Sequence, residues 1–279
     1  MRPVAAVLIA AYVLGGAGVL PRLEAIGAQD ARVDWTKVRV LVYTKNGKGY
    51  VHDNIPASIE AIRELAREHR FSVDVSDDPA AFTDDNLRKY SALVFSNTNN
   101  VVFDTDAQRV ALMRYVQAGG GFVAIHSASA SERTWKWFAG LVGGAFSRHA
   151  PLQPFGVLVL DRTHPSVAHL PPRWEREDEC YYLVRMNVNM RILAVNDLST
   201  IQDPKEKPAT FGDVFPSVWY QEFDGGRQWY TSLGHRKDDY ARPEFRQHLL
   251  GGIGSVVRDA PPDYSRAYAT SPSDTPARR

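Results

Sequence analysis

The sequence predicts an α/β fold, a three-layer α/β/α sandwich around a mostly parallel sheet, and three observations predict it. From residue 38 onward, strand-like and helix-like segments alternate. The strand-like segments are apolar at successive positions, as in Ala92-Leu93-Val94-Phe95 and Phe122-Val123-Ala124-Ile125, which is the pattern of strands covered on both faces. The segments between them have helical period, as crossovers between parallel strands require.

Residues 38–43 form the first apolar, β-branched run. The helix that follows places Ile55, Ile59, Ile62 and Leu65 on one face, with Pro56 in its first turn, so residues 44–54 are a loop after the first strand. Residues 71–75 and 92–95 read as the second and third strands, separated by a short helix over 84–90. Thr105-Asp106-Ala107-Gln108 has the spacing of a capping box and opens a helix that ends at Gly119, ahead of a fourth strand over 122–125. The second half changes character. Residues 157–160, 192–195, 217–222 and 227–232 read as strands with longer loops, and Phe223-Asp224-Gly225-Gly226 is a hairpin signal between the last two. A final helix spans about 243–250 and packs back on the sheet.

Composition narrows the function. A chain of 279 residues with 44% hydrophobic content builds a sizeable core, and 33 basic against 32 acidic residues leave a net charge of +1 with no basic patch for nucleic acid. Cys180 is the only cysteine, which excludes an internal disulfide, a cysteine zinc cage and a redox pair. Arg2, the apolar run 4–14 and Ile26-Gly27-Ala28 before Gln29 read as an export signal, and an uncleaved anchor over 5–20 would place the domain on the same side. The expected organisation is a signal segment over 1–28, a linker over 29–37, one domain over 38–257 and a disordered tail over 258–279, where Pro, Ser, Asp and Arg dominate.

Ligands of open parallel sheets bind beyond the carboxyl ends of the strands. His52 lies in the loop after the first strand, Ser96-Asn97-Thr98-Asn99 follow the third, His126-Ser127 the fourth, and Gly234-His235 the last. Arg148-His149, Asp161 and His164 follow later turns. His126 is the sharpest candidate, because a strand-to-helix turn holds it rigidly and the positive end of the next helix would keep it neutral, fit to act as base or ligand. His69 and His248 sit on helices away from these loops and read as surface or packing residues. Ser127 lacks the glycines of a nucleophile elbow and reads as a cap rather than an acyl acceptor. Cys180 follows Asp178 and Glu179, whose charges would raise its pKa and make it a poor thiolate. Asp161, Asp178 and Glu179 could orient imidazoles, serve as acid or base, or complete a histidine/carboxylate metal site. Trp135, Trp137 and Trp219 offer flat faces for stacking on a sugar ring.

These motifs, taken in order, resemble a known family. Gly49-Tyr50-Val51-His52 with Ile55-Pro56, Ser96-Asn97-Thr98, Gly120-Gly121 through His126, Leu141-Val142-Gly143-Gly144 to His149, Asp161-Arg162-Thr163-His164-Pro165, Asp178-Glu179, Pro216-Ser217-Val218-Trp219 and Tyr230 through His235 are similar to the ThuA-like, or trehalose-utilisation, domain over residues 38–257. The resemblance implies a flavodoxin-like fold related to class I glutamine amidotransferases, with His126 where they carry a catalytic cysteine. It also implies a role with disaccharides, notably trehalose and its 3-keto derivatives. Members often carry an acidic residue soon after that histidine, whereas this chain reads Ser127-Ala128-Ser129-Ala130.

The reading is an exported enzyme acting on a sugar or oxidised glycoside. His126, His52 and His235 are its catalytic groups, Asp178 and Glu179 assist, and Asn97, Ser127, His149, Trp135 and Trp219 contact substrate. A non-catalytic carbohydrate-binding domain is the alternative. A metal-dependent hydrolase, in which two or three of the histidines and a carboxylate hold zinc or another divalent ion, stands third because no H-E-x-x-H spacing is present, and no individual residue is assigned as a metal ligand. The sequence names no cofactor and no oligomeric state. The partner is a small-molecule sugar, with no nucleic acid, and a membrane only through an uncleaved anchor.

Overall fold

The computed structural model describes residues 33–276. The expected signal segment over 1–28 lies outside them. Among the described residues no helix is long and apolar enough to cross a membrane. In chain order the strands are β1 (Arg39–Tyr43), β2 (Ser72–Ser76), β3 (Ala92–Ser96), β4 (Gly121–Ile125), β5 (Ala145–His149), β6 (Gln153–Val159), β7 (Arg173–Asp178), β8 (Tyr181–Val184), β9 (Arg191–Asp197), β10 (Val214–Phe223) and β11 (Gly226–Thr231). The helices are α1 (Ile55–His69), α2 (Asp84–Leu87), α3 (Asp106–Gln117), α4 (Lys136–Val142) and α5 (Pro243–Val256).

Nine strands form one sheet in the order β2-β1-β3-β4-β11-β10-β9-β6-β7, and β5 pairs with β8 apart from it. The first five are parallel in the 2-1-3-4-5 order of flavodoxin-like sheets, which reverses direction between β1 and β3 and opens a crevice there. The remaining four extend the sheet antiparallel. The turn from β10 to β11 is the expected hairpin: Phe223 pairs with Gly226, and Asp224 (φ 48°) with Gly225 (φ 98°) occupies the left-handed positions of a two-residue turn.

Side-chain alternation explains the layers. Phe95, Phe122 and Tyr230 point to the face covered by α3 and α4, where Phe95 and Phe138 rings lie 5.8 Å apart. Trp229 and Ser96 point to the other face, where Gly252 of α5 lets the helix close on the Trp229 indole and Ser58 of α1 hydrogen-bonds Ser96. Each fully buried aromatic contributes about 2 kcal/mol by transfer from water.

Two expectations change. Residues 258–276 follow a defined path and are not a disordered tail. Asp263 N–H donates to Ala118 O at 2.8 Å, and Gln117 Oε1 accepts from both Tyr268 N and Ala269 N at 2.9 Å. Backbone and amide hydrogen bonds hold this polar segment, together with Ala269 and Tyr264 packed on the core. The element after β4 is a five-residue 3-10 turn, His126–Ala130, and not the longer helix whose dipole was expected to act on His126.

Candidate functional site

The loop after β1 returns His52 over the strand ends, β4 runs directly into His126, and the chain leaving β11 turns at Gly234 into His235. Glu179 occupies the corner between β7 and β8, where the antiparallel extension folds back toward the parallel strands. These four residues meet. Their ligand-capable atoms all lie within 4.8 Å of one another, and the His52, His126 and His235 rings are 4.8 to 5.4 Å apart.

Each residue is held by identifiable bonds. His126 adopts φ 51°, a conformation that costs a non-glycine residue about 1 kcal/mol or more. It is fixed there because its Nδ1–H donates to Ser232 O at 2.7 Å, and Tyr230 and Ser129 hydroxyls donate to its carbonyl at 3.0 and 3.3 Å. Its Nε2 is thereby left as an acceptor, met by the Tyr181 hydroxyl at 2.9 Å. His52 Nδ1 lies 3.1 Å from Ser127 Oγ. Gly234 needs both its φ of 110° and its lack of Cβ, which would come within 2.8 Å of the Tyr240 hydroxyl. Asp178 accepts from Gly234 N at 2.7 Å and His235 N at 3.2 Å, while Asn54 Nδ2 donates to the carbonyls of both residues at 2.6 and 2.9 Å. That backbone clamp presents His235 to Glu179, whose Oε2 is 3.2 Å from His235 Nδ1 and 3.6 Å from His126 Nε2.

The charges follow the geometry. Burial, reinforced by the other two imidazoles, pushes His52 down to about 3, so it is neutral. The Glu179 carboxylate beside it raises His235. Burial opposes ionisation of Glu179, but its contacts with His126 and His235 hold it well below the usual carboxylate range. Burial drives the Cys180 thiol up to about 12, which removes it as a nucleophile.

The expected site residues therefore divide. His52, His126, His235 and Glu179 converge, and His149 stands exposed at the rim with Nδ1 3.4 Å from Glu179 Oε1. Asp178 belongs to the support, since its oxygens are taken by the Gly234, His235 and Glu179 amides. Ser127 supports His52. Asn97 lies fully buried beneath the site, bonded to Asn54 and Tyr240. Neither tryptophan reaches the cluster: Trp219 packs tilted against Tyr230 and donates to Val142 O, and Trp135 stacks on Trp137 and donates to Pro272 O. Asp161 pairs with Arg191, and His164 packs by Ser166 and Tyr220, both away from the site. The carboxylate in the cluster is that of Glu179, whereas Glu132, the first acid downstream of His126, is spent on Val102 N, Phe103 N and Arg109.

Two residues were not anticipated. Tyr181 covers His126, its ring 4.3 Å away, and Tyr50, 60% exposed, stands edge-on to His52 at 4.8 Å. Both lie within two residues of an expected site residue, which was the available signal.

Comparison with known proteins agrees with this architecture. A ThuA-like protein of Bacteroides uniformis superposes with a TM-score of 0.65 at 20% identity, covering 81% of this chain and 95% of its own. One of Parabacteroides merdae gives 0.61 at 19% identity over 85% and 99%. A β-galactosidase from Rahnella contains the same fold in 32% of its chain, matched by 79% of this one at a TM-score of 0.52 and 15% identity. No curated protein matches the sequence. The sequence pattern of the ThuA family, described as trehalose utilisation, matches residues 39–254, and the chain belongs to that family.

Proposed function

We propose that this chain is an exported enzyme of sugar utilisation whose reaction centre is the His52, His126, His235 and Glu179 cluster, and whose substrate is an oxidised, keto-bearing glycoside. The observation that carries the reading is the convergence of three imidazoles and a carboxylate at the strand ends, beside an exposed tyrosine fit to stack on a sugar ring. Export rests on the basic and apolar pattern of residues 1–28.

A ring carbonyl acidifies the adjacent C–H, so a modest base suffices to remove that proton. When the glycosidic oxygen lies β to the carbonyl, loss of the proton expels it as the C–O bond breaks. The departing alcohol takes up one proton, the ring gains a double bond, and no oxidant or reductant is consumed. The imidazoles and carboxylate are the acceptors, and the Tyr181 hydroxyl, 2.9 Å from His126 Nε2, is placed to deliver a proton.

The test incubates the purified chain with disaccharides and their 3-keto derivatives and follows products by mass spectrometry. Conversion of a keto-glycoside, reduced about 1000-fold by His126→Ala at unchanged circular dichroism, is expected. Undiminished conversion in that variant would remove the assigned centre. Saturable sugar binding without product would replace the enzyme by a binding domain.

A further inference from the structure

We propose that His52, His126, His235 and Glu179 bind one divalent late first-row metal ion, for which zinc is the probe. The inference rests on the same placement of the reaction centre as the proposed function, but it concerns binding, so either reading can fail alone.

The donor set comes first. Three imidazoles and one carboxylate suit zinc and its transition-metal neighbours, whereas magnesium and calcium take oxygen ligands. Metal–ligand bonds of about 2.0–2.1 Å place tetrahedral ligands about 3.3 Å apart. Glu179 Oε2 already stands 3.2 Å from His235 Nδ1 and 3.6 Å from His126 Nε2, and the widest separation, 4.8 Å, closes by side-chain rotation. Among the described residues this is the one group of its kind.

The unspent hydrogen-bonding capacity comes second. His126 Nδ1–H is given to the Ser232 carbonyl, the outer-shell bond that fixes a ligating histidine's tautomer and directs its bare Nε2 at a metal. Ser127 does the same for one nitrogen of His52. His235 Nδ1 is buried and close to Glu179, yet its approach does not have the angle of a hydrogen bond. Glu179 meets only histidines: His126, His149 and His235 lie within 3.2 to 3.6 Å of its carboxylate, with no lysine or arginine paired to it among the described residues. A divalent ion satisfies these atoms together. Seated there, it displaces the Tyr181 hydroxyl from His126 Nε2, and that hydroxyl becomes a donor to a water or sugar oxygen bound at a further position of the ion.

The experiment uses tag-free full chain, stripped with chelator, titrated with zinc by calorimetry and with cobalt by visible absorption, and counted by elemental analysis. Expected are one ion per chain, cobalt bands of a nitrogen/oxygen site, and a Tm raised by zinc. Glu179→Gln and His235→Ala should each weaken binding at least about 100-fold, while His69→Ala on α1 leaves it unchanged. Binding by the stripped chain below one equivalent at millimolar zinc overturns the proposal whatever the variants do. So does unchanged affinity in Glu179→Gln, an isosteric change at a buried residue, with circular dichroism confirming that the variant is folded. Turnover of a keto-glycoside by the stripped chain would leave the sugar reading standing without the metal.

Discussion

Two regions of this molecule bury histidine, and they spend it differently. On the buried face of α5, His248 gives its Nδ1–H to Ser166 O at 2.7 Å and accepts the Thr231 hydroxyl on Nε2 at 3.1 Å, so both nitrogens are committed to permanent neighbours. At the strand ends, His52 and His126 commit one nitrogen to the scaffold, and His52, His126 and His235 gather around one carboxylate. Burial is nearly the same, with His248 and His126 fully enclosed. What separates packing from function is the account of both ring nitrogens. His164 stands between: Ser166 Oγ holds Nδ1, Nε2 is unpaired, but it joins no cluster.

The strongest way to break this comparison is His248→Ala. It opens a cavity against Trp229 and Phe245, whose rings lie 4.9 and 5.8 Å away, and orphans Ser166 O and the Thr231 hydroxyl. A loss of about 3 kcal/mol in urea denaturation is expected, with turnover per folded chain within about twofold of wild type. Lost turnover at unchanged stability would put His248 in the site.

A pH series tests the same core without mutation. Burial lowers His248 to about 3, helped by His169, Arg176 and His164. Burial and Arg191 lower His164 to about 4, against the opposing Asp161. The unfolded values are about 6.5, so below that pH the unfolded chain takes up protons that the folded chain refuses. Stability is therefore full above about pH 6.5 and is lost as pH falls toward 4. Between pH 7.5 and 5.5 the two residues should remove about 3 kcal/mol. His52 shifts in the same sense as these two, and His235 in the opposite sense. A midpoint that holds or rises on acidification would mean that these core histidines are protonated in the folded chain.

The parallel half was legible because strands buried on both faces read as unbroken apolar runs, and the polar residues just past them mark the crevice. The antiparallel half was less so. β7 runs Arg-Trp-Glu-Arg-Glu-Asp, and its inward residues Trp174, Arg176 and Asp178 include two charges. Arg176 is matched by Asp239 at 2.6 Å, and Asp178 by backbone amides. Such compensation is tertiary, so no local pattern announces the strand or that Glu179, at its end, turns into the cluster while Asp178 turns into its support. The tryptophans misled for a related reason: Trp135 and Trp219 satisfy their indole N–H on backbone carbonyls inside the protein.

The smallest effect sharpens the comparison most. Thr231 is a permanent partner of His248, whereas the Tyr181 hydroxyl on His126 Nε2 is a partner that the proposed metal site would displace. Tyr181→Phe keeps the ring against His126 and removes only that hydroxyl. The freed nitrogen is left without a donor, since Glu179 Oε2, 3.6 Å away, is also an acceptor, so the cost in stability should be about 1 kcal/mol. Zinc affinity should be undiminished, because the hydroxyl competes with the ion for the same lone pair. Turnover should fall about tenfold in kcat with KM little changed, since a proton donor acts on the chemical step more than on substrate binding. A Tyr181→Phe variant with wild-type kcat would make the tyrosine a packing partner of His126, as fixed in its role as Thr231 is beside His248.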